Sequence, residues 1–399
     1  MPQVSSSALA VPHSRIREIA DLAMSMSDVL RLYFGESTLP TPRFIQQAAI
    51  EAMAAGYTVY TENAGLPSLR EALAAHYQRL HGVRLDPASE LVVTASGVQA
   101  LYMGIRGCLD PGDEAIVLTP AWQNQMSIAR MSGASVAEVP LAFSGGCFQV
   151  DFAALEAAVS PRTRLLVYTS PSNPLGWTAT VEEQQRLLEF ARRQDIWLLA
   201  DEVYERLYYG AAGPAPSILR LARRDDPVIV VQSFSKSYCM TGWRVGWIVA
   251  RRDFADRTTK LNEFVVSCAA GFSQRAAEAA LAQGEPAIAE MLGFYRANRD
   301  LCLAALRGLP GVTVPEAAGA FYLFPRIEGI GDSLAFCKRL LREQHVGVAP
   351  GSAFGAGGES SIRICYAVGR DVLEPALERL ARFLGRARDE ANRLAAVQK

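Results

Sequence analysis

The stretch SFSKSYCMTGWRVGW, residues 233–247, places one lysine among hydroxyl groups, with an arginine eight positions later. Two chemistries use such residues. In one, Ser233 is an acylated nucleophile and Lys236 its base, because S-x-x-K is the spacing of penicillin-binding enzymes. In the other, Lys236 forms a Schiff base with an aldehyde cofactor, while Ser233 and Arg244 bind the phosphate of that cofactor.

The acyl-enzyme alternative requires two further motifs. Enzymes of that class also carry an S-D-N-like element and a K-T-G strand, and neither string occurs in this sequence. The residues SFSK follow an apolar run, which predicts that they end a strand rather than open a helix. Both observations favour the Schiff-base alternative.

The elements that position these residues are predicted to be strands alternating with helices. Segments such as 181–194 have apolar residues at helical spacing and are predicted as helices. Between the helices lie short, nearly continuous apolar runs, typical of strands covered on both faces. The predicted strands are 91–96, 114–120, 164–170, 196–201, 228–235 and 245–250. This alternation indicates a mostly parallel α/β sheet.

Polar or conformationally special residues collect where the predicted strands end. In open α/β sheets the carboxyl ends of the strands form the crevice that binds ligands. The residues at these ends are Ser96, Gly97, Asn173, Asp201, Tyr204, Ser233 and Lys236. Their positions predict an active site at one edge of the sheet.

Three segments are predicted along the 399 residues. Residues 46–295 form a large cofactor-binding domain, and residues 296–399, where helices mix with isolated strands, form a smaller α+β domain. Residues 1–45 form an N-terminal arm and part of the small domain, which the segment VLRLYFGES is expected to join.

Composition excludes several classes of function. Lys and Arg number 40 against 41 Asp and Glu, so no strong field attracts nucleic acid or an anionic membrane. Seven scattered cysteines without C-x-x-C spacing and only four histidines argue against a metal site. The apolar surroundings of most cysteines predict reduced thiols in a cytoplasmic protein. Neither a signal peptide nor a membrane span is expected.

Together the motifs resemble the class I and II aminotransferases, the fold-type-I enzymes that depend on pyridoxal 5'-phosphate. The resemblance runs from about Gly35 to Arg363 and rests on several separate motifs. It implies a large domain with a mostly parallel seven-stranded sheet sandwiched by helices, and a smaller α+β domain. It also implies an amino acid and a 2-oxo acid as substrates.

The resemblance assigns cofactor contacts motif by motif. Lys236 is the Schiff-base lysine and general base, and Asp201, in ADEVY, pairs with the pyridinium N–H. Asn173, in SPSNPLG, donates to the phenolic oxygen, although Leu175 replaces the usual threonine of the NPTG turn. The remaining cofactor contacts are Ser96, Gly97, Val98, Ser233 and Arg244 on the phosphate, Trp122 on the ring face and Tyr204 on the phenolic oxygen, with Ser235 a weaker phosphate candidate.

Each motif also has an ordinary structural explanation. A Ser-Gly turn before a helix is commonly a cap, a tryptophan such as Trp122 is commonly a core residue, and an Asp-Glu pair after a strand is commonly a solvated loop. The functional interpretation therefore depends on the motifs occurring together.

Substrate contacts are implied at three positions. Arg363, between Ile362 and Ile364, is the bidentate clamp for the substrate α-carboxylate. Asn173 and Gly35 flank the same carboxylate, but here Gly35 is followed by Glu-Ser where the family has x-Pro-Asp. This departure leaves the contacts of that loop open.

Assembly and substrate preference are also predicted. YTENAGLPSLR, residues 60–70, resembles the family stretch whose tyrosine reaches the other subunit's cofactor phosphate, so Tyr60 implies a homodimer with shared sites. Aspartate-specific relatives carry an arginine four residues before a serine; here that spacing from Ser267 leads to Glu263. Neutral or aromatic amino acids are therefore expected to outperform aspartate.

Two other functions stay open. A β-eliminating carbon–sulfur lyase uses the same fold and cofactor residues. A ligand-sensing domain of a transcription regulator also uses this scaffold, but such chains carry a basic N-terminal DNA-binding domain, and here only about 30 residues precede the motif region. The expected function is ping-pong transamination through Lys236.

Overall fold

The computed structural model describes residues 2–9, 11–210 and 213–397. None of the helices within these ranges is long and apolar enough to cross a membrane. In chain order the helices are α1 (Ser6–Leu9), α2 (Arg15–Met24), α3 (Arg43–Ala54), α4 (Pro67–His81), α5 (Gly97–Arg106), α6 (Asn124–Met131), α7 (Phe152–Ala157), α8 (Val181–Gln194), α9 (Phe234–Ser237), α10 (Arg252–Val265), α11 (Gly271–Gln283), α12 (Glu285–Leu306), α13 (Ser333–Gln344) and α14 (Arg370–Val397).

The strands are short. In chain order they are β1 (Leu30–Arg31), β2 (Leu91–Thr94), β3 (Glu114–Thr119), β4 (Ser135–Pro140), β5 (Ala142–Ser144), β6 (Cys147–Gln149), β7 (Thr163–Thr169), β8 (Trp197–Asp201), β9 (Val228–Ser233), β10 (Gly246–Ala250), β11 (Val312–Thr313), β12 (Tyr322–Leu323), β13 (Arg326–Ile327), β14 (Val346–Gly347), β15 (Ala349–Pro350) and β16 (Ile362–Cys365).

Seven of these strands form the central sheet, in the order β2–β10–β9–β8–β7–β3–β4. Strand β10 runs antiparallel to both of its neighbours, and the other adjacent pairs are parallel. The predicted mostly parallel, seven-stranded α/β sheet is thus confirmed.

The central strands are apolar on both faces because each face is covered. Leu198 of β8 belongs to one hydrophobic cluster and its neighbour Leu199 to a second one, and both side chains are fully buried. In β9, Val230 and Ile229 divide in the same way. Each such side chain contributes about 1.5–3 kcal/mol to folding.

Two details differ from the sequence-based predictions. Strand β4 at the sheet edge was not predicted, because its exposed and half-buried positions break the apolar pattern. Strand β9 ends at Ser233 rather than 235, and SFSK opens the short helix α9. The reason is local: the Ser233 side-chain oxygen accepts a hydrogen bond from the Ser235 N–H at 3.1 Å and caps that helix.

The carboxyl-terminal third of the chain contains smaller groups of paired strands. Strands β12, β16 and β15 form a three-stranded sheet that carries Arg363 on β16. Strand β1, within VLRLYFGES, pairs in parallel with β14, joining Leu30 to Val346. Helix α12 contacts β12 of the three-stranded sheet and helix α14, and it runs without a break past residue 295.

Candidate active site

A cavity of about 450 Å³ opens at the carboxyl ends of the parallel strands. It brings together almost every residue that the sequence singled out. The predicted residues that line it are Gly35, Gly97, Val98, Trp122, Asn173, Asp201, Tyr204, Ser233, Ser235, Lys236, Arg244 and Arg363. Among the predicted positions, Ser96 and Tyr60 are not part of this lining.

Lys236 projects from the short helix α9 into this cavity. Its Nζ donates a hydrogen bond to the Gly35 carbonyl oxygen at 2.6 Å and lies 5.8 Å from the centre of the Phe321 ring. Burial lowers the pKa of Lys236 to about 8, and the positive charges of Arg363 and Arg244 act in the same direction. A larger fraction of the amine is therefore neutral near pH 7 than in an exposed lysine.

This pKa predicts a pH-dependent stability in the protein without bound cofactor. Between pH 8 and 10.5 the unfolded chain keeps the Lys236 proton that the folded chain has lost, so its contribution to stability rises with pH. Lys236→Met should therefore be more stable than wild type below pH 8, by a margin that shrinks toward pH 10.5. Denaturant unfolding at each pH measures the margin, and a margin constant with pH would contradict the assignment.

No side chain fits at Gly35, because a tyrosine lies next to this position. A Cβ atom at this position would lie 2.4 Å from the Tyr322 hydroxyl oxygen, which leaves no room for a side chain. Its carbonyl oxygen meanwhile accepts the hydrogen bond from Lys236. The glycine thus lets the backbone of the segment after β1 come close to the Lys236 amine.

Asp201 ends β8 and is 4% exposed. Burial raises its pKa to about 6, although hydrogen bonds from the Val203 N–H and the Gln125 side chain lower it in part. Within the described residues Asp201 forms no ion pair. A buried carboxylate without a cationic partner is costly, so the site is suited to a ligand that brings a cation to this strand end.

Arg363 is also a buried charged residue without an ion-pair partner among the described residues, but its charge is positive. It is 2% exposed, donates from Nη1 to the Asn173 Oδ1 at 3.0 Å and from Nη2 to the Tyr33 carbonyl oxygen, and leaves Nε without a partner. Across the described part of the chain no carboxylate neutralises it. Its guanidinium lies over the rings of Tyr322 and Phe354, at 4.7 and 5.0 Å. This geometry is complementary to a carboxylate of a bound molecule.

The predicted phosphate site lies where helix α5 begins. The Ser96 side chain accepts from the Gln99 N–H at 3.2 Å and caps the helix, which accounts for its absence from the cavity wall. Gly246 of β10 lies close behind, since a Cβ atom there would be 2.5 Å from the Gly97 backbone nitrogen. The helix N-terminus, Ser233 and Arg244 all border the same cavity. Free N–H groups and a guanidinium at one place suit an anion.

Several functional candidates were missed from sequence. Tyr322 shares a hydrogen bond of 2.8 Å with the Tyr204 hydroxyl group and lines the cavity. Gln125 donates to the Thr169 hydroxyl oxygen at 2.5 Å, beside Asp201 in the sheet. Thr169 carried a usable signal, because it ends a predicted strand, and Gln125 follows Trp122 by three residues, whereas Tyr322 belongs to none of the motifs.

Tyr60 lies on the surface, 86% exposed, and away from the cavity of its own chain. The exposed apolar patch around it comprises Tyr57, Val59, Tyr60, Phe264, Val265 and Val266. Its two segments are held together by the Thr61 N–H, which donates to the Cys268 sulfur at 3.4 Å. Glu263 is exposed beside this patch and is not part of the cavity wall.

Comparison with known proteins shows one family. The model of "Aminotransferase class I and II" matches residues 27–380. The chain is 35% identical to an aspartate aminotransferase of Pyrococcus horikoshii over 96% of this chain and 97% of that one, and 33% identical to aromatic-amino-acid aminotransferase 2 of Thermococcus litoralis over 93% and 95%. A structure of Thermus thermophilus aspartate aminotransferase with maleate is 34% identical, covers 96% of this chain and 100% of its own, and superposes with a TM-score of 0.89.

Proposed function

The chain belongs to the aminotransferase class I and II family, and we propose that it moves an amino group between an amino acid and a 2-oxo acid using pyridoxal 5'-phosphate bound in the cavity. The observation that carries the proposal is the pair of buried opposite charges on the cavity wall, Asp201 and Arg363, neither of which has an ion-pair partner in the described ranges. A protonated ring nitrogen and a substrate carboxylate satisfy both.

The chain supplies the groups that this cofactor requires. We assign the ring N–H of the cofactor to Asp201. We assign its phosphate to Ser233, Arg244 and the start of α5, which line the same cavity. Trp122 lines the same cavity and offers an aromatic face. When bound, pyridoxal phosphate supplies an electron-withdrawing ring that stabilises negative charge on the substrate α-carbon.

Proton transfer is assigned to Lys236. Its Nζ would accept the proton from the substrate α-carbon and deliver it to the cofactor carbon that holds the amino nitrogen, and its lowered pKa favours the neutral amine that this role needs. The Gly35 carbonyl oxygen, 2.6 Å from Nζ, orients the amine. A positioned general base contributes on the order of 10²–10⁴-fold to rate.

Substrate orientation is assigned to Arg363 and Asn173. The Arg363 Nε is unpaired, Nη1 and Nη2 donate only to neutral oxygens, and no carboxylate within the described residues pairs with the guanidinium, which supports binding of an α-carboxylate. Asn173 accepts from Arg363 through Oδ1, which leaves its Nδ2 hydrogens to donate to the ligand. The two residues thereby fix the α-carbon relative to Lys236.

The carbon–sulfur lyase is the alternative that a product assay separates from transamination. The relatives named above are aminotransferases, which favours transfer of the amino group over its release as ammonia. Assay of the protein supplied with pyridoxal phosphate, an amino acid and a 2-oxo acid should detect a new amino acid. Pyruvate and ammonia released from cysteine or cystathionine would support the lyase instead.

The proposed domain arrangement follows the sequence. Residues 46–295 hold the cofactor, residues 296–399 carry Arg363, and residues 1–45 contribute the arm that includes Gly35. The hydrogen bond from Arg363 to Asn173 joins the domain of residues 296–399 to the domain of residues 46–295. A cytoplasmic location fits the seven free cysteines.

We further propose a homodimer in which Tyr60 contacts the cofactor phosphate bound by the other subunit. Exposed apolar patches of several large side chains mark protein interfaces, and Phe264 at 85% and Val59 at 73% exposure are such side chains. Tyr60 cannot serve its own cavity, from whose wall it is absent.

Phe264→Glu is expected to turn the dimer into monomers and to weaken cofactor binding, because a charge replaces one of the most exposed large apolar side chains of the patch. Sedimentation velocity at assay concentration measures the assembly state. Tyr60→Phe is the matched control: it should stay dimeric and lose about 10- to 100-fold in cofactor affinity, as loss of a hydrogen bond to a charged group does. A fully active wild-type monomer would overturn the proposal.

Neutral or aromatic amino acids are expected to react faster than aspartate in the first half-reaction. No second buried cation for a distal carboxylate lines the described part of the cavity; Arg17, at its mouth, is exposed and lies over the Phe34 ring at 5.6 Å. An unpaired buried carboxylate would be costly. Single-turnover rates with aspartate, alanine, leucine, phenylalanine, kynurenine and lysine test this.

In the proposed dimer the Glu263 carboxylate repels an acidic side chain, so Glu263→Ala should raise the aspartate rate selectively. Aspartate reacting fastest, with no effect of Glu263→Ala, would show that the spacing from Ser267 misidentified the position.

A further inference from the structure

A carboxylate buried between two histidines lies outside the cavity, in the turn that follows Asp201 at the end of β8 and also carries Tyr204. Glu205 is 3% exposed, and His76 and His81 are 1% and 8% exposed. The His76 Nε2 lies 3.5 Å from Oε1 of Glu205, and the His81 Nε2 lies 3.1 Å from Oε2. Both histidines belong to helix α4, so this helix holds the turn at both oxygens of one side chain.

The position of the protons in this cluster follows from Arg79. Its Nη2 donates to the His76 Nδ1 at 3.2 Å, and a guanidinium has no lone pair with which to accept. The Nδ1 atom is therefore the acceptor of a neutral imidazole, and Nε2 carries the hydrogen that points to Glu205. The tautomer is thus fixed by the network rather than left open.

Glu205 stays ionised. Burial alone would raise the pKa of Glu205, but the hydrogen bonds from His76 and His81 outweigh burial and lower it to about 2. The carboxylate in turn raises the pKa of His81, although burial of that ring opposes the effect. An acceptor with two oxygens is therefore present between the two rings at any working pH.

The same network reaches the start of helix α12. Arg206 donates to Glu285 from Nη1 at 2.9 Å and from Nη2 at 2.6 Å. Arg79 contacts Glu285 as well, at 3.4 Å. Helix α4, the turn after β8 and helix α12 are thereby tied through adjacent side chains.

Backbone hydrogen bonds restrain the turn between Glu205 and the cavity. The Glu202 N–H donates to the Val231 carbonyl oxygen at 3.0 Å, and the Glu205 N–H donates to the Glu202 carbonyl oxygen at 2.9 Å. Asp201 at the end of β8 and Tyr204 in the turn line the cavity, while Glu205 in the same turn is held by α4. Movement of Glu205 displaces the backbone that sets both cavity-facing side chains.

We propose that Glu205, clamped between His76 and His81, is a positioning residue that fixes Asp201 and Tyr204 for cofactor binding and proton transfer. The inference rests on the proposed function, because Asp201 and Tyr204 act on the cofactor only within it. Glu205 itself touches neither substrate nor cofactor; it acts through the turn.

The test compares Glu205→Gln with Asp226→Asn. The glutamine keeps the shape of Glu205 but turns an N–H group toward a ring that donates. Asp226 is also a buried carboxylate, 8% exposed, bonded to Arg192 at 2.8 and 2.6 Å, and lies before β9 at the opposite end of the sheet. Both changes remove a buried charge, but only Glu205 is next to the cofactor-facing turn.

Glu205→Gln is expected to raise the cofactor dissociation constant about tenfold or more, as loss of supporting hydrogen bonds does at metal ligands. It should also reduce the visible circular dichroism of the bound cofactor and lower kcat at saturating cofactor about 10- to 100-fold, because small misplacements are costly. Asp226→Asn should lower only the Tm. Equal Tm losses with unchanged circular dichroism and kcat in both variants would overturn the inference.

His81 supplies a second test should Glu205→Gln fold poorly. His81→Gln keeps an N–H donor for Glu205 and should retain the cofactor signal, whereas His81→Leu should behave like Glu205→Gln. Identical behaviour of the two His81 variants would contradict the clamp. Absence of cofactor binding in the wild-type protein would instead refute the proposed function, so the two failures are distinguishable.

Discussion

Replacing Lys236 by alanine is expected to lower transamination by at least 10²–10⁴-fold, the contribution of a positioned general base. The loss has a structural reason: Lys236 supplies the amine in the cavity, next to the Gly35 carbonyl oxygen, and burial lowers its pKa to about 8. The wild-type protein is expected to show a pH-dependent visible absorption band with pyridoxal phosphate, and the variant should lose it. Absorbance titration and coupled product assays measure both effects.

Lys260→Ala is the matched control for this change. Lys260 is exposed and forms a surface ion pair with Asp256 four residues away on α10. It should leave the absorption band and turnover unchanged, since surface pairs contribute about 0–1 kcal/mol. Normal transamination by Lys236→Ala would mean that the reactive amine has been misassigned.

Replacing Arg363 by leucine is expected to lower kcat/KM for every amino acid by about 30-fold to several thousand-fold, the cost of 2–5 kcal/mol for a lost buried charge pair. The cofactor band should persist, because the proposed contacts of Arg363 are with the substrate carboxylate. The cofactor-free protein should be as stable as wild type or more so, since a buried cation without a counter-ion is removed.

Arg363→Lys separates charge from geometry. Lysine keeps the positive charge but not the planar fork, so it should recover only part of the lost kcat/KM. Steady-state kinetics with an amino acid and with its amine analogue lacking the carboxylate provide the readout. A variant that loses activity equally toward both compounds would show that Arg363 does not bind the carboxylate.

Much of the fold followed from sequence because the central strands are buried on both faces. Their continuous apolar runs, as in Leu198 and Leu199 of β8, leave few other interpretations. Edge strand β4 has no such signal, since it pairs with β3 on one side and just one of its six residues, Val139, is buried. The start of α9 depended on a single cap at Ser233, which a run of apolar residues does not reveal.

The sequence predicted which candidate residues come together, but not the charge environment of each one. Lys236, Asp201 and Arg363 lie far apart in sequence and line one cavity, as strand-end positions and the family motifs indicated. That Asp201 and Arg363 are both buried without ion pairs in the described chain is visible only in three dimensions. Contacts such as Tyr204 with Tyr322, which join residues 118 positions apart, have no local signature.

One measurement tests the central claim most directly. The wild-type protein, loaded with pyridoxal phosphate and mixed with an amino acid but no 2-oxo acid, should release about one 2-oxo acid per site and no ammonia. The amino group should stay on the protein until an added 2-oxo acid removes it as a new amino acid and restores the visible band. Continued release of a 2-oxo acid and ammonia without a second substrate would contradict transamination.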